Sequence, residues 1–446
     1  MVVPKRIPLF ILLLAIGCAP SYVKRSAPVL DRLSREDYEE ALSAVEGLKN
    51  EPFLYLVEKG TILHYAERFD ESNEVFSEAE RLREDLIVPS ISEGAVSLIT
   101  SDAERSYPGE DYEDLFINYF KILNYVFLGE YEEALVEARI VDVKLRGLDD
   151  LYEGKLTHKN DAFMRYLTGV LYELEGSYND AFIAYEKSYR AYEQYTELYG
   201  SEHPSFLGPE LVRTALWSGL DEEAAHYREV FRNLEDSSFA WEGSGEILFI
   251  FENGLLPHKT ETKIDAPIPH DEGVYLFKIA FPKIEEKEAR FSGAEIRVDG
   301  VGRKCWLAED LQAIAIRNLK DRELRDVARA AARAALKYAL TKKGEDVGER
   351  LGGEKDDSTA TERSKALGKL FGFLTNLFGY ATERADLRSW RSLPQDIYIS
   401  RLGLTEGTYD VRISLLDRRG KVARTVTYPE VEVKEGKIAF LRYRSY

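Results

Sequence analysis

The side chains able to do chemistry are few and scattered. Histidine occurs six times, at His64, His158, His203, His226, His258 and His270, with no HxxH, HExxH or Cys-His spacing, so a zinc site is not indicated. The two cysteines are Cys18 and Cys305. Cys305 stands beside Trp306 in an apolar stretch, the setting of a core thiol rather than a nucleophile. Ser21-Tyr-Val-Lys24 has the SxxK spacing of penicillin-binding enzymes but lacks their partner motifs, and we read it as coincidence. Acid pairs such as Glu132/Glu133 and Glu222/Glu223 suit solvated helix faces, and no Gly loop that could cradle a phosphate precedes a helix. The expectation is therefore a protein without catalytic residues, metal or cofactor. The competing expectation is a cell-envelope hydrolase or transferase acting on cell-wall or surface glycan, its site assembled from residues too scattered to see.

One row of residues stands apart. Arg384, Asp386, Arg388 and Trp390 recur at period two, and Pro394 disfavours helix for Leu393 before it. On an extended segment the four would share a face, with Asp386 between two guanidiniums and the Trp390 ring offered to Arg388. Such a row either pins one part of the fold to another or presents an anionic or sugar ligand with an Arg/Trp surface. We expect pinning, with Trp390 buried.

The elements that must position these residues follow from periodicity. Leu115 to Ala134 and Ala162 to Tyr185 are two copies of one pattern: an apolar helix, a Gly turn (Gly129, Gly176), an aromatic two residues later (Tyr131, Tyr178), then a small residue (Ala134, Ala181). The Gly ends one helix in a left-handed conformation, and the small residue lets the next approach closely. Weaker copies surround Tyr38/Ala41, Phe69/Ser72 and Gly219/Ala224, giving four to five hairpins. Gly169, Tyr172, Gly176, Tyr178, Ala181 and Tyr185 resemble the tetratricopeptide pattern, although spacing only approximates its ~34 residues. Polar stretches at Val88 to Glu110 and Arg146 to Asn160 suit loops. Phe116, Tyr119, Leu123 and Val126, repeated by Phe163, Tyr166 and Val170, form a stripe at helical spacing. The resemblance to tetratricopeptide arrays implies that this stripe lines a concave groove for apolar or aromatic segments of a partner protein; core packing is the other reading.

From Gly245 the period becomes alternating. Glu246 to Phe251, Val274 to Phe281, Ala294 to Val298 and a closing set from Tyr409 to Tyr443 read as strands, the last as a meander. Two helices interrupt them, Glu309 to Leu340 and Ser364 to Thr382, with a charged, Gly-rich stretch between. The fold class expected is multidomain α+β: a tetratricopeptide-like α-solenoid over residues 30–238, then a β-sandwich over 243–446 with a helical hairpin inserted at 308–382.

The 446 residues carry a net charge of -19 and a pI near 5.0, which argues against nucleic acid or anionic headgroups as main partner. At the start, Lys5 and Arg6 precede the apolar run Ile7 to Ile16, and small residues lead to Cys18. This reads as a lipoprotein signal over residues 1–18, Cys18 becoming the lipidated residue and 19–29 a Pro-containing tether. Ala19 after the Cys implies the outer membrane, with the chain facing the periplasm. The lipobox, the repeats around Asn118 to Tyr125, and Ala385 to Pro394 together resemble an uncharacterised family of bacterial outer-membrane lipoproteins with tetratricopeptide-like repeats. What the resemblance implies is location and architecture: a non-catalytic, lipid-anchored envelope scaffold bound to a membrane by its anchor and to a partner protein by its repeats. Glycan binding by the sandwich is a further expectation without a motif behind it.

Overall fold

The computed structural model describes residues 21–87, 106–151, 161–202, 204–234, 245–270, 273–322 and 384–446. Among the described residues ten α-helices precede the first strand: α1 (Tyr22–Leu33), α2 (Tyr38–Val45), α3 (Pro52–Tyr65), α4 (Phe69–Ile87), α5 (Asp111–Leu128), α6 (Tyr131–Leu151), α7 (Ala162–Leu174), α8 (Tyr178–Tyr199), α9 (Leu207–Trp217) and α10 (Asp221–Val230). Each packs against the next, so the ten form five stacked hairpins. One device closes all five. The residue two before the second helix of each pair is left-handed: Glu36, Glu67, Gly129, Gly176 and Gly219, with φ between 59° and 79°. The small residue three positions into each second helix, Ala41, Ser72, Ala134, Ala181 or Ala224, is buried against the first. Where the helices approach most closely a glycine faces an aromatic ring; a Cβ on Gly169 would lie 2.5 Å from Tyr185, and one on Gly60 2.7 Å from Phe76.

Two expectations change here. Residues 22–33 are helix α1, not a tether. Tyr22, Ser26, Val29, Leu30 and Leu33 fall on one buried stripe, and burying it outweighs the helix cost of Pro28, about 3 kcal/mol. The polar stretch from Arg146 begins as the last turns of α6, which runs to Leu151, because Val141 and Leu145 carry its buried stripe to that end.

The strands are β1 (Gly245–Asn253), β2 (Lys259–His270), β3 (Gly273–Ile284), β4 (Gly293–Val298), β5 (Val301–Lys304), β6 (Trp306–Asp310), β7 (Asp396–Leu404), β8 (Gly407–Leu416), β9 (Val422–Val433) and β10 (Ile438–Arg444). They make a four-stranded sheet in the order β10-β1-β7-β6, a second in the order β5-β4-β8-β9, and the ribbon β2-β3. A helix, α11, covers residues 311–322. The expected helix start at Glu309 is thus displaced, since Glu309 belongs to β6. The rest of the inserted hairpin lies outside the described residues. The closing strands are not a plain meander: β10 leaves β9 and pairs with β1 in parallel, Glu246 opposite Ile438 through Glu252 opposite Arg444. Alternation marks a strand but not its neighbour.

Every residue of β1 is buried, and the two sides of the strand serve two cores. Ile247, Phe249 and Phe251 join Ala294, Ile296, Val411 and Ile413 in a cluster shared with the second sheet. Leu248 and Ile250 join the cluster that runs through all five hairpins, together with Ile397, Ile399, Trp390 and Ile438. The β10-β1-β7-β6 sheet therefore lies in the helical array as its core, rather than in a domain of its own.

Candidate functional site

The stripe expected to line a partner groove is where the sheet docks. Phe116, Tyr119, Leu123, Phe163, Tyr166 and Val170 are all at most 2% exposed, which corrects their assignment to a partner. The physical reason is that the chain supplies its own occupant: Tyr119 Oη donates to Glu252 of β1 at 3.0 Å, and Tyr192 Oη to the Ala308 carbonyl of β6 at 2.9 Å. Trp306 of β6 packs on Phe206 and Tyr192.

Period two puts Glu246, Leu248, Ile250 and Glu252 of β1, and Ile397, Ile399 and Arg401 of β7, on the side facing the helices. The charged ends of these rows are the anchors. Arg401 Nη1 reaches Glu173 of α7 at 2.7 Å and Tyr185 Oη of α8 at 3.1 Å, and its Nε donates to Glu246. Arg213 of α9 grips Glu173 at 2.7 Å and lies 3.7 Å from Glu246. Burial alone would raise the Glu173 carboxyl, but Arg213 and Arg401 overcome it and hold it at about 2. For Glu246 burial wins over the same two cations and pushes it up to about 7.

At the other end of the seam, Arg442 of β10 donates to Nε2 of buried His64. A guanidinium can only donate, so Nε2 accepts and Nδ1 carries the proton, which it gives to Asn124 Oδ1 at 2.5 Å. Asn124 Nδ2 in turn donates to Ser72 and Asn73. Burial, then the Arg442 charge, holds the His64 pKa well below its usual value, so the ring is a neutral joint.

The Arg384 to Trp390 row is only partly assembled. Trp390 is fully buried between Phe76 and Phe120; its Nε1–H reaches Thr61 and Ser392, and its backbone N–H donates to Glu113 at 2.7 Å. Arg388 pairs with Asp386 at 2.7 Å and with Glu51 of the array at 2.9 Å, and stacks on Tyr107 rather than Trp390. Arg384 is exposed and takes no part in that pairing. The segment attaches to the helical array through Glu51, Thr61 and Glu113; the inserted hairpin it was expected to pin lies, beyond residue 322, outside the described residues. Cys18 lies outside the described residues.

Sequence reasoning missed Glu173, Glu210, Arg213, Glu246, Glu309 and Arg401. A signal existed in a charge closing an otherwise apolar alternation, as Glu246 and Glu252 do around Ile247 to Phe251. It cannot be told from an ordinary strand end without the partner helices.

Beside the seam, a cavity of about 220 Å³ is lined by Tyr107, Glu110, Lys259, Arg322 and Asp386. Lys259 and Arg322 both contact the Glu110 carboxylate, which their charges hold at about 2 against the opposing effect of burial. On the outside of the array Val136 and Val143 of α6 and Ile183 of α8 are exposed by 52%, 59% and 39%.

No known family matches the chain, and no curated protein does. Several solved structures are similar over about half of it. A crystal structure of MamA shares 13% identity, covering 47% of this chain and 90% of that chain at a TM-score of 0.29. BtubC from P. vanneervenii shares 16%, covering 47% and 78% at 0.34. A putative kinesin light chain of Podosopora anserina with nearly identical TPR-like repeats shares 14%, covering 47% and 93% at 0.32. The hairpins of the present chain are tetratricopeptide-like in their own geometry: a helix, a left-handed turn, and a small buried residue in the returning helix.

Proposed function

We propose that the protein is a scaffold of the bacterial cell envelope, anchored by a lipid on Cys18 to the outer membrane, which binds a partner protein through the outward faces of its repeats. The observation that carries this reading is the occupation of the Phe116 and Phe163 stripes by the chain's own sheet. With that face filled, apolar side chains remain accessible on the outside of the array, where Val136 and Val143 sit two turns apart on α6, Ile183 follows on α8, and Leu216 and Trp217 end α9. The two four-stranded sheets sharing a core form a β-sandwich whose inner sheet is the array's filling. The anchor rests on the run Ile7 to Cys18, with small residues before the cysteine.

A photocrosslinking residue placed at Val136, Val143 or Ile183 in cells should give one dominant protein adduct, and none when placed at buried Tyr119. Cys18→Ala should leave the membrane fraction. Absence of an adduct at all three outer positions overturns the surface assignment, and undiminished membrane retention of Cys18→Ala overturns the anchor.

A further inference from the structure

We propose that the charged cluster joining α7, α8 and α9 to β1 and β7 is a proton-dependent latch, holding the sheet in the array when protonated and loosening it when the proton leaves. This rests on the docking of the sheet and not on the identity of any partner.

The geometry requires the proton. Among the described residues the cluster holds three carboxyls, Glu173, Glu210 and Glu246, against two guanidiniums, Arg213 and Arg401, and each side chain is only 3–6% exposed. Among the described residues the other groups facing it are neutral: Tyr185, whose hydroxyl donates to Glu173, Tyr166, whose hydroxyl is unpartnered, and Trp217, whose ring lies 5.5 Å from Arg213. Three negative charges against two leave one uncompensated in a dry site, where an isolated charge costs far more than a neutral acid. One carboxyl therefore stays protonated. Glu173 is held ionised by both arginines, so the proton belongs to Glu246 and Glu210. Glu210 has one oxygen 3.8 Å from Arg401 and the other without a partner.

A second acid at the same end of the seam has the same need. Glu309 of β6 is 1% exposed and neither of its carboxyl oxygens has a hydrogen-bond partner. The groups around it are acids or phenols: Asp161 at the start of α7, Asp310 beside it, and Tyr192, Tyr195 and Tyr199 on α8. Burial first, then Asp161 and Asp310, push its pKa well above the carboxylate range. Glu309 lies where β6 meets α7 and α8, outside the charge balance of the Glu173 cluster.

The sign follows from the direction. An acid whose folded pKa exceeds its unfolded value contributes stability that is complete below the unfolded value, about 4.5, and is lost as pH rises through the folded one. With Glu246 at about 7, local opening should grow about tenfold between pH 6 and pH 8.

Amide hydrogen exchange of the full chain, corrected for its intrinsic pH dependence and read on α9 and on residues 399–404 of β7, measures this directly. Glu246→Gln and Glu210→Gln each balance two charges against two without a proton, so either should remove the tenfold rise while leaving the pH 6 pattern intact. Two variants guard against one failing to fold. The proposal is overturned by a wild-type chain whose opening is flat across this range, or by a rise that persists in a folded Glu246→Gln or Glu210→Gln protein.

Discussion

Trp390 is tied down from three directions at once. Its indole fills the space between Phe76 and Phe120, its ring N–H reaches Thr61 at 3.0 Å and Ser392 at 2.9 Å, and its backbone N–H donates to Glu113. Removing the ring leaves a large cavity and two hydroxyls without their donor, so Trp390→Ala should cost 3–5 kcal/mol, roughly as for other buried aromatics. Trp390→Phe keeps most of the packing and loses only the ring N–H, for which about 1–2 kcal/mol is expected. Urea unfolding of the two variants beside the wild type checks both the size and the order. A loss below about 0.5 kcal/mol for the Ala variant would show that the segment rests on the array without holding it. Arg388 acts through charge instead. Burial opposes its charge, yet Asp386 and Glu51 overcome that and raise its pKa, so it remains an ion at any pH at which the chain is folded.

At the scale of elements, the hairpin turns obey a rule that residue type follows only in part. Gly129, Gly176 and Gly219 occupy the left-handed position at no steric cost, but the first two hairpins place Glu36 and Glu67 there, at φ 60° and 59°. Both are exposed and neither side chain makes a hydrogen bond that Gly would lose. A left-handed non-Gly residue costs roughly 1–2 kcal/mol, offset by up to ~1 kcal/mol of extra unfolded-chain freedom when Gly replaces it. Glu67→Gly should therefore raise stability by roughly 0.5–1 kcal/mol, read as a higher urea midpoint with unchanged slope. An unchanged or lower midpoint would mean that the turn is already relaxed. The same rule explains what the sequence made legible. Where Gly, aromatic and Ala stand together, as at Gly176, Tyr178 and Ala181, helix, turn and close approach could all be read. Where Glu replaces Gly, only the aromatic and the small residue remained. Strand β1 was legible as an apolar run, but not the fact that its two faces serve two cores. An alternation such as Glu246 to Glu252 reports that a side is buried, never against what. The Phe116 and Phe163 stripes were misassigned for this reason: a helix face that will meet a partner and one that will meet the chain's own sheet have the same composition.

The molecule as a whole is built around that seam. Its helices contribute one wall, sheet β10-β1-β7-β6 the other, and the apolar cluster between them is continuous from Leu33 to Ile438. Charged anchors recur along it, with Arg442 on His64, Tyr119 on Glu252, and Arg401 within the Glu173 cluster. Each anchor takes one partner from either wall. Splitting the chain would therefore leave Tyr119, Phe163 and Tyr166 in water, and would leave Glu173 and Glu210 without Arg401. Neither wall has a complete core alone, so the full chain should unfold by calorimetry in one transition that spans helices and sheet, despite a length at which separable domains are common. A chain ending at residue 242 should self-associate or bind an apolar dye, because the surface uncovered is larger than monomers usually expose. Two resolved calorimetric transitions, together with a monomeric helical fragment as heat-stable as the whole, would show that the array stands by itself and that the sheet is only a lid. A single transition would mean that any partner able to displace the sheet must supply an equivalent apolar strand face and a cation in place of Arg401, because the array cannot leave that face uncovered.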